Sequence, residues 1–171
     1  MDRTFFGRQL ASYAAVHRNG RNKATHFVGI PVIVFSLLLI FALWPVRIGD
    51  TDTSMAAVLA IVAVAGWMAL DLGIGALMAV LMLIGWYAAE ALARGLGASA
   101  TWIVFGVLFV GGWALQFLGH HYEGKRPALI DNLFQGFIGP MFLVAEALVV
   151  MGRRPDLAPL MNSADAPVTG R

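Results

Sequence analysis

Residues 98–121 read ASATWIVFGVLFVGGWALQFLGHH, and this stretch indicates what kind of protein the chain is. Its first 22 residues, Ala98–Gly119, include no charged side chain. About 20 apolar residues in a helix are enough to cross the hydrocarbon core of a bilayer, so we expect a membrane span here. The span ends at His120 and His121, two of only four histidines in the chain. Imidazoles at the end of a membrane helix suggest a functional site.

Four further apolar runs lie along the chain. They are Phe27–Trp44, Met55–Leu70, Leu72–Ala89 and Leu133–Met151. The first three are predicted spans, and Pro31 falls in the first turn of the first one, where proline is tolerated. The last run contains Gln135, Pro140 and Glu146, so it is predicted to be a fifth, kinked or re-entrant helix.

The predicted fold is all-α, a polytopic membrane helix bundle with four spans and the fifth helix. An amphipathic helix precedes the spans, because apolar residues recur at helical spacing in the sequence Phe6, Leu10, Tyr13 and His17. Residues 1–152 are expected to form a single membrane-embedded domain. Residues 153–171 contain three prolines and little hydrophobic pattern, and they are predicted to be a flexible tail.

Composition excludes several other classes of protein. Of the 171 residues, 59% are hydrophobic and 13% are charged, which is too apolar for an ordinary soluble domain. The chain has no cysteine, so disulfides, thiolate zinc sites and iron–sulfur clusters are excluded. The net charge of +2 is too small to suggest nucleic acid as a partner. No signal peptide and no obligate protein partner are indicated.

Four crossings would place all four histidines at one face of the membrane. If the chain enters the bilayer at Phe27, the fourth span returns it at Gly119 to the side on which it began. Basic residues are concentrated on that side: Arg3, Arg8, Arg18, Arg21, Lys23, Lys125 and Arg126. The positive-inside rule then predicts that the histidines lie at the cytoplasmic face of an integral, multi-pass protein of a bacterial inner membrane or the endoplasmic reticulum.

The first histidine pair, His17 and His26, needs a bend in the chain to act as one site. In a continuous helix, nine residues would place the two rings on opposite faces, about 13 Å apart. The intervening Asn19, Gly20 and Asn22 favour turns, so a bend there would bring His26 back toward His17.

The second pair, His120 and His121, points in two directions about 100° apart if the helix continues through it. Both rings can serve one site only at a frayed helix end. Glu123 is then a further metal ligand, an acceptor that orients a ring N–H, or an ion-pair partner of Lys125 or Arg126. Those two cations either anchor the span or receive an acidic lipid headgroup.

If the two pairs meet, they form a mononuclear metal site made of imidazoles. Imidazole suits zinc, copper, iron and nickel, so the ligand type alone does not select the metal. A closed tetrahedron of four histidines would be structural, whereas an incompletely ligated ion leaves positions for a substrate or oxygen.

Two spaced motifs resemble a family of membrane 2-hydroxy fatty acid dioxygenases. The first motif is His17-x8-His26-x2-Gly29-x-Pro31, with Asn22 between the histidines. The second is Gln116-Phe-Leu-Gly-His120, followed by Glu123, Arg126-Pro-Ala-Leu129 and Pro140. The resemblance covers both ends of the chain, and the spans between the motifs are similar only in hydropathy.

This resemblance implies an Fe2+-dependent catalytic domain that uses O2 to cleave the C1–C2 bond of a long-chain 2-hydroxy fatty acid. The product would be a fatty acid one carbon shorter. His17, His26 and His120 match the family's histidines and would be iron ligands, with His121 contributing. The residues expected to contact the substrate or to support the site are Asn22, Lys23, Glu123, Lys125 and Arg126. The acyl tail would lie among the spans, in contact with membrane lipid.

Two other interpretations of the residues stay open. A small membrane cytochrome could ligate haem through histidines, although haem ligands usually face one another within spans. A non-catalytic membrane protein could carry histidines that only contact headgroups and water at the interface.

Overall fold

The structure is a computed structural model that describes residues 4–124 and 133–162. Most of these residues are helical. The elements in chain order are α1 (Phe5–Ala15), α2 (Gly20–Phe41), β1 (Pro45–Ile48), β2 (Thr51–Ser54), α3 (Met55–Leu70), α4 (Leu72–Glu123), α5 (Leu133–Val150), a 3-10 turn (Pro155–Leu157) and α6 (Ala158–Asn162). They form two compact units. The first unit combines the residues up to Ile30 with those from Leu115 onward, and the second unit is Pro31–Ala114.

Two of the described helices, α2 and α4, are long and apolar enough to cross a membrane. A third candidate arises if Phe134–Val150 and Pro155–Met161, which meet at 113°, are taken as one broken span. The apolar helix α3 is shorter, at 16 residues. The helical membrane character of the chain is therefore supported, whereas the count of four spans stays a prediction.

Helix α4 covers the third and fourth predicted spans. The expected break between Ala89 and Ala98 is reduced to Gly97, whose backbone is non-helical with φ 72° and ψ 171°. Over 52 residues α4 has a contour length of about 78 Å, more than twice the thickness of a hydrocarbon core. One straight crossing cannot accommodate it, and Gly97 divides it into two parts.

Helix α2 begins seven residues earlier than predicted. The Asn19 side chain accepts a hydrogen bond from the Arg21 backbone N–H (2.9 Å), and its carbonyl accepts from the Lys23 N–H (3.0 Å). Asn19 therefore caps the helix and lets it start in a polar segment, ahead of the apolar run. As a result Pro31 lies inside the helix and not in its first turn.

The core of the first unit forms around α1, which packs against α5 and α6. Phe6, Leu10 and Tyr13 are buried along one side of α1, so the predicted amphipathic helix is confirmed. Its N-terminus is capped by Thr4, whose hydroxyl accepts from the Gly7 N–H at 3.1 Å.

Part of the predicted flexible tail is folded in the structure. Residues 155–162 form the 3-10 turn and α6, and Leu157 and Leu160 are 2% and 6% exposed. Two buried leucines among polar residues and prolines hold this stretch against α1, and the division of the chain into a domain and a tail stays a prediction. Residues 163–171 lie outside the described part of the chain, and the single-domain prediction stays a prediction.

The second unit contains a β-hairpin that the all-α prediction missed. Strands β1 and β2 pair antiparallel, with Ile48 opposite Thr51, so the loop consists of Gly49 and Asp50. Gly49 has φ 61°, which glycine adopts readily at the first position of a two-residue hairpin loop. Asp71 separates α3 from α4 and caps α4 by accepting from the Ile74 N–H at 2.9 Å.

Candidate metal centre

Three histidines of the first unit converge. His17 lies between α1 and α2, His26 in the second turn of α2, and His120 in the last turn of α4. One ring nitrogen from each lies within 4.8 Å of the others, and the three residues are 2%, 2% and 6% exposed. Buried clusters of neutral nitrogen donors are the usual protein environment for a transition-metal ion.

A bend brings the first two rings together, as the turn-forming residues predict. Helix α1 ends at Ala15 and α2 begins at Gly20, so the chain between the two histidines is not one continuous helix. The Nε2 atoms of His17 and His26 consequently lie only 3.1 Å apart, although nine residues separate them in sequence.

Backbone carbonyls determine which nitrogen of each ring is free. His17 Nδ1 lies 2.7 Å from the Tyr13 carbonyl oxygen, and His26 Nδ1 lies 2.9 Å from that of Asn22. A carbonyl only accepts, so both Nδ1 atoms carry the proton, and in a neutral ring Nε2 then presents a lone pair. Two lone pairs at 3.1 Å repel each other unless a cation lies between them. The arrangement therefore suits a metal ion.

Burial keeps His17 uncharged. Desolvation, with smaller contributions from the charges of nearby histidines, lowers the pKa of His17 to about 3. The ring is therefore neutral at physiological pH and is able to donate its Nε2 lone pair to a metal.

His120 completes the group from α4. Its Nδ1 is buried without a hydrogen-bond partner among the described residues, which leaves one more ring nitrogen available. The preceding residue, Gly119, permits the close approach of α4 to α2. A Cβ at Gly119 would clash with Thr25 Oγ1 and Asn22 Oδ1 and would lie 3.0 Å from His26 Nδ1.

The separations are compatible with one shared ion. Imidazole nitrogens bind zinc at about 2.0–2.1 Å, so two nitrogens on one such ion lie at most about 4.2 Å apart. The His17–His26 pair already meets this limit at 3.1 Å. The 4.8 Å bound for the whole group exceeds it by only about half an ångström, which side-chain rotation can close.

Glu123 binds the connection between α1 and α2 rather than entering the histidine group. Its carboxylate accepts from the backbone N–H groups of Arg18 (3.0 Å) and Asn19 (2.8 Å) and from the Asn22 amide (3.0 Å). The predicted ion-pair partners Lys125 and Arg126 lie outside the described residues. In this position Glu123 links the end of α4 to the segment that carries His17.

The other predicted support residues have defined neighbours. Lys23 forms a close ion pair with Glu146 of α5, and both side chains are largely buried. Asn22 is fully buried, its amide nitrogen faces Glu123, and its backbone carbonyl holds His26.

His121 is not part of the three-histidine group. It is exposed, and its ring lies 6.2 Å from that of Tyr122. The helix continues through residue 123 without fraying, so the 100° divergence between neighbours directs His121 away from the site.

The sequence analysis gave no role at the site to two residues that lie beside the histidines. The Tyr13 ring stacks on His17 with a centroid distance of 4.0 Å and an angle of 4°, and burial raises the pKa of its hydroxyl. Gln116 is buried one turn before His120, and its Nε2 has no partner among the described residues. Tyr13 precedes His17 by four positions, and Gln116 precedes His120 by four. This helical spacing was the signal in the sequence that could have indicated their proximity.

Comparisons with known proteins identify the family of this chain. A family model described as "2-hydroxy-palmitic acid dioxygenase Mpo1-like" matches residues 4–151. The chain is also 34% identical, over 157 residues, to the 2-hydroxy-palmitic acid dioxygenase MPO1 of Saccharomyces cerevisiae, covering 87% of this chain and 83% of the yeast protein. No solved structure matches. The matched region contains all three clustered histidines, and the chain belongs to the 2-hydroxy-palmitic acid dioxygenase Mpo1-like family.

Proposed function

We propose that this protein is an Fe2+-dependent dioxygenase that shortens long-chain 2-hydroxy fatty acids by one carbon. His17, His26 and His120 would hold the metal. The observation that carries the proposal is the buried group of three imidazoles, with nitrogens within 4.8 Å of one another, inside the region that matches the family. Three protein ligands leave positions for a substrate and for O2, as in other mononuclear iron oxygenases.

The substrate class follows from the chemistry of the site and from the name of the yeast relative. A 2-hydroxy acid offers a carboxylate and a neighbouring hydroxyl, which together chelate a hard cation. Bound iron would supply the redox chemistry that joins substrate and O2. Oxidation to the shorter acid, carbon dioxide and water balances with one O2, so the reaction requires no external reductant.

The chain's own residues would bind and orient the substrate. Gln116 lies on the same face of α4 as His120, and its amide N–H, which has no partner among the described residues, would donate to a substrate oxygen. Lys23 is held by Glu146, so its contribution would be a nearby positive charge rather than a free ammonium. Burial of the three rings excludes bulk water, which strengthens these polar interactions.

We further propose that the histidine site lies at the cytoplasmic face of a membrane. The described basic residues nearest the site in sequence are Arg18, Arg21 and Lys23, which precede or begin the apolar helix α2. A polar head would then enter at the interface while its acyl tail stays in lipid, where burial contributes about 0.8 kcal/mol per CH2.

The direct test is metal analysis combined with oxygen uptake. The full chain, purified anaerobically and loaded with Fe2+, should bind about one iron and consume O2 when 2-hydroxypalmitate is added, releasing a fifteen-carbon acid. His17→Ala, His26→Ala and His120→Ala should each lose iron and reduce turnover by about a hundredfold or more, because each removes one of three ligands.

His121→Ala is the matched control, since this exposed histidine adjoins His120 and should leave iron content and turnover near normal. Normal turnover in any of the three ligand variants would refute the assignment. A Soret band in the purified protein would indicate haem instead, and absence of any metal dependence would support a non-catalytic role.

A further inference from the structure

The second unit contains two adjoining cavities of opposite character. One, of about 740 Å³, combines apolar side chains with the charged and hydroxyl-bearing residues Thr51, Asp52, Glu90 and Arg94. The other, of about 570 Å³, is lined almost entirely by apolar side chains of α3 and α4. Both volumes lie in the range of small-molecule sites. None of the three clustered histidines lines either cavity.

Trp86 and Thr53 belong to the walls of both cavities, so the two spaces are neighbours. One face of α4 passes through them in order. Ala79 and Met82 line the apolar cavity, Trp86 lines both, and Glu90 and Arg94 line the polar one. Residues four apart share a helix face, so this face changes from apolar to charged at Trp86. A molecule that fills both spaces must itself be amphiphilic.

The polar cavity has two hydrogen-bonding groups that lack a partner. Trp86 Nε1 and Glu90 Oε1 are buried and have no hydrogen-bond partner within the described part of the chain. The other carboxylate oxygen of Glu90 accepts from Arg94 at 3.2 Å. Indole N–H only donates and an ionised carboxylate only accepts, so a ligand that satisfies both must bring an acceptor and a donor.

The charged side chains of the polar cavity restrict further which headgroup it can bind. Among the side chains that line this cavity, Asp52 and Glu90 are acidic and Arg94 is basic, and Asp52 also lies 3.8 Å from Arg47, so this wall presents charges of both signs. A headgroup with an ammonium beside a phosphate fits this wall. The ammonium would donate to Glu90, and the phosphate would accept from Trp86 and pair with Arg94.

We propose that this pair of cavities is a specific binding site for a phospholipid with a phosphoethanolamine headgroup. One acyl chain lies in the apolar cavity between α3 and α4, and the headgroup lies against Trp86, Glu90 and Arg94. Phosphocholine has a cation without N–H donors, and phosphoglycerol has no cation, so neither satisfies Glu90 equally well. This site does not depend on the proposed dioxygenase activity.

The test compares three phospholipids with identical acyl chains on the delipidated full-length protein in detergent, by native mass spectrometry. Phosphatidylethanolamine should bind about tenfold more tightly than phosphatidylcholine or phosphatidylglycerol, because a hydrogen bond to a charged acceptor discriminates by about that factor. Equal occupancy by all three lipids in the unsubstituted protein would overturn the proposal, whatever the variants do.

Two variants separate the two halves of the headgroup. Glu90→Gln removes the charge that selects the ammonium and should reduce the tenfold preference to less than about twofold. Trp86→Phe removes the donor to phosphate, which all three lipids carry, and should weaken them alike while the preference stays. Trp102→Phe, on the same helix but outside both cavities and 53% exposed, is the matched control and should change nothing.

Circular dichroism on each variant confirms that the helices are intact. If folded Glu90→Gln kept the full preference for phosphatidylethanolamine, the site would lie elsewhere on the protein.

Discussion

Single residues determine which ring nitrogens of the histidine site can donate a lone pair, and they do so mainly through their backbone carbonyls. The carbonyls of Tyr13 and Asn22 each hold the Nδ1 proton of a histidine four residues later in the chain. Each carbonyl fixes the tautomer and leaves Nε2 to face its neighbour. Substituting either side chain would not remove these acceptors, so the orientation of the two rings depends on where α1 ends and where α2 begins.

Gly119 is the residue at which a small change should be most harmful. A Cβ there would meet Asn22, Thr25 and His26, so Gly119→Ala should push α4 from α2. We expect a loss of about 1–3 kcal/mol in the free energy of unfolding, the usual cost of overpacking, and a clear loss of bound iron. Thermal unfolding and metal analysis measure both.

Gly111→Ala is the matched control. Gly111 lies on the same helix as Gly119, and a Cβ at Gly111 would have no neighbouring atom within 4 Å among the described residues. Replacing glycine by alanine in an open helical position should stabilise the protein by up to about 1 kcal/mol. Equal iron content in Gly119→Ala and Gly111→Ala would contradict the close approach at Gly119.

Acid should destabilise the metal-free protein through His17. Burial holds the pKa of His17 at about 3 in the folded state, whereas an unfolded histidine titrates near 6.5. Below about pH 6.5 the His17 ring binds a proton in the unfolded chain but not in the folded chain. The free energy of unfolding should therefore fall as the pH drops from about 6.5 toward 3.

Thermal unfolding of the metal-free protein between pH 7.5 and pH 5 measures this slope. His17→Asn should show a shallower decline, while His121→Asn, which alters an exposed ring, should retain the original slope. An unchanged slope in His17→Asn would assign the acid sensitivity to another group.

At the scale of elements, the end of α4 is tied to the start of α2 by one carboxylate. Glu123 accepts two backbone N–H groups from the segment between α1 and α2 and one side-chain N–H from Asn22 in the first turn of α2, and it is the residue that ends α4. Because His17 lies in that segment and His120 precedes Glu123 by three residues, this tie holds two of the three imidazoles in register.

Glu123→Gln should loosen this tie without removing a histidine. Glutamine has one acceptor oxygen and no charge, so at least one of the three hydrogen bonds is lost, at a cost of about 1–3 kcal/mol in the free energy of unfolding. Iron affinity should fall as well. Asp50→Asn, an exposed position in the hairpin loop, is the control for loss of a carboxylate and should be near neutral.

The elements also show how far the sequence could predict this fold. Long apolar runs and the spacing of Phe6, Leu10 and Tyr13 were sufficient to predict helices, and the turn formers after His17 were sufficient to predict the bend. The early start of α2 and the folding of residues 155–162 were not predictable in this way. They depend on a side-chain cap at Asn19 and on tertiary burial of Leu157 and Leu160, which hydropathy does not register.

The three histidines of the candidate site were predictable from the sequence, whereas the residues around them were not. Scarcity of histidine and family motifs pointed to His17, His26 and His120, which the structure brings together. The ring stacking of Tyr13 and the ion pair of Lys23 with Glu146 join residues whose proximity only the folded chain reveals. His121 was included from adjacency alone, and the continuous helix at the end of α4 separates it from the group.

For the whole molecule, the membrane topology can be tested by labelling introduced cysteines, because the chain has no cysteine of its own. Single cysteines can be introduced at Arg21, in the first turn of α2, and at Asp50, in the hairpin loop beyond the other end of α2, and both positions are exposed. If α2 crosses the membrane, a membrane-impermeant maleimide should label Arg21→Cys from the cytoplasmic side and Asp50→Cys from the opposite side.

Tyr122→Cys extends the test to the end of α4 and should be labelled together with Arg21→Cys. Labelling of Arg21→Cys and Asp50→Cys from the same side would mean that α2 does not span the bilayer. Labelling of Arg21→Cys from the outer side alone would reverse the proposed orientation of the histidine site.

The distance along the chain between the three histidines would also determine when the proposed metal could be bound during synthesis. His120 follows His26 by 94 positions, and nearly the whole of α4 must leave the ribosome before the third imidazole exists. A nascent chain therefore offers only two of the three imidazoles, a weak chelate, until α4 is complete. If the proposed function holds, a chain truncated before His120 would lack one of the three imidazoles and would bind the ion weakly.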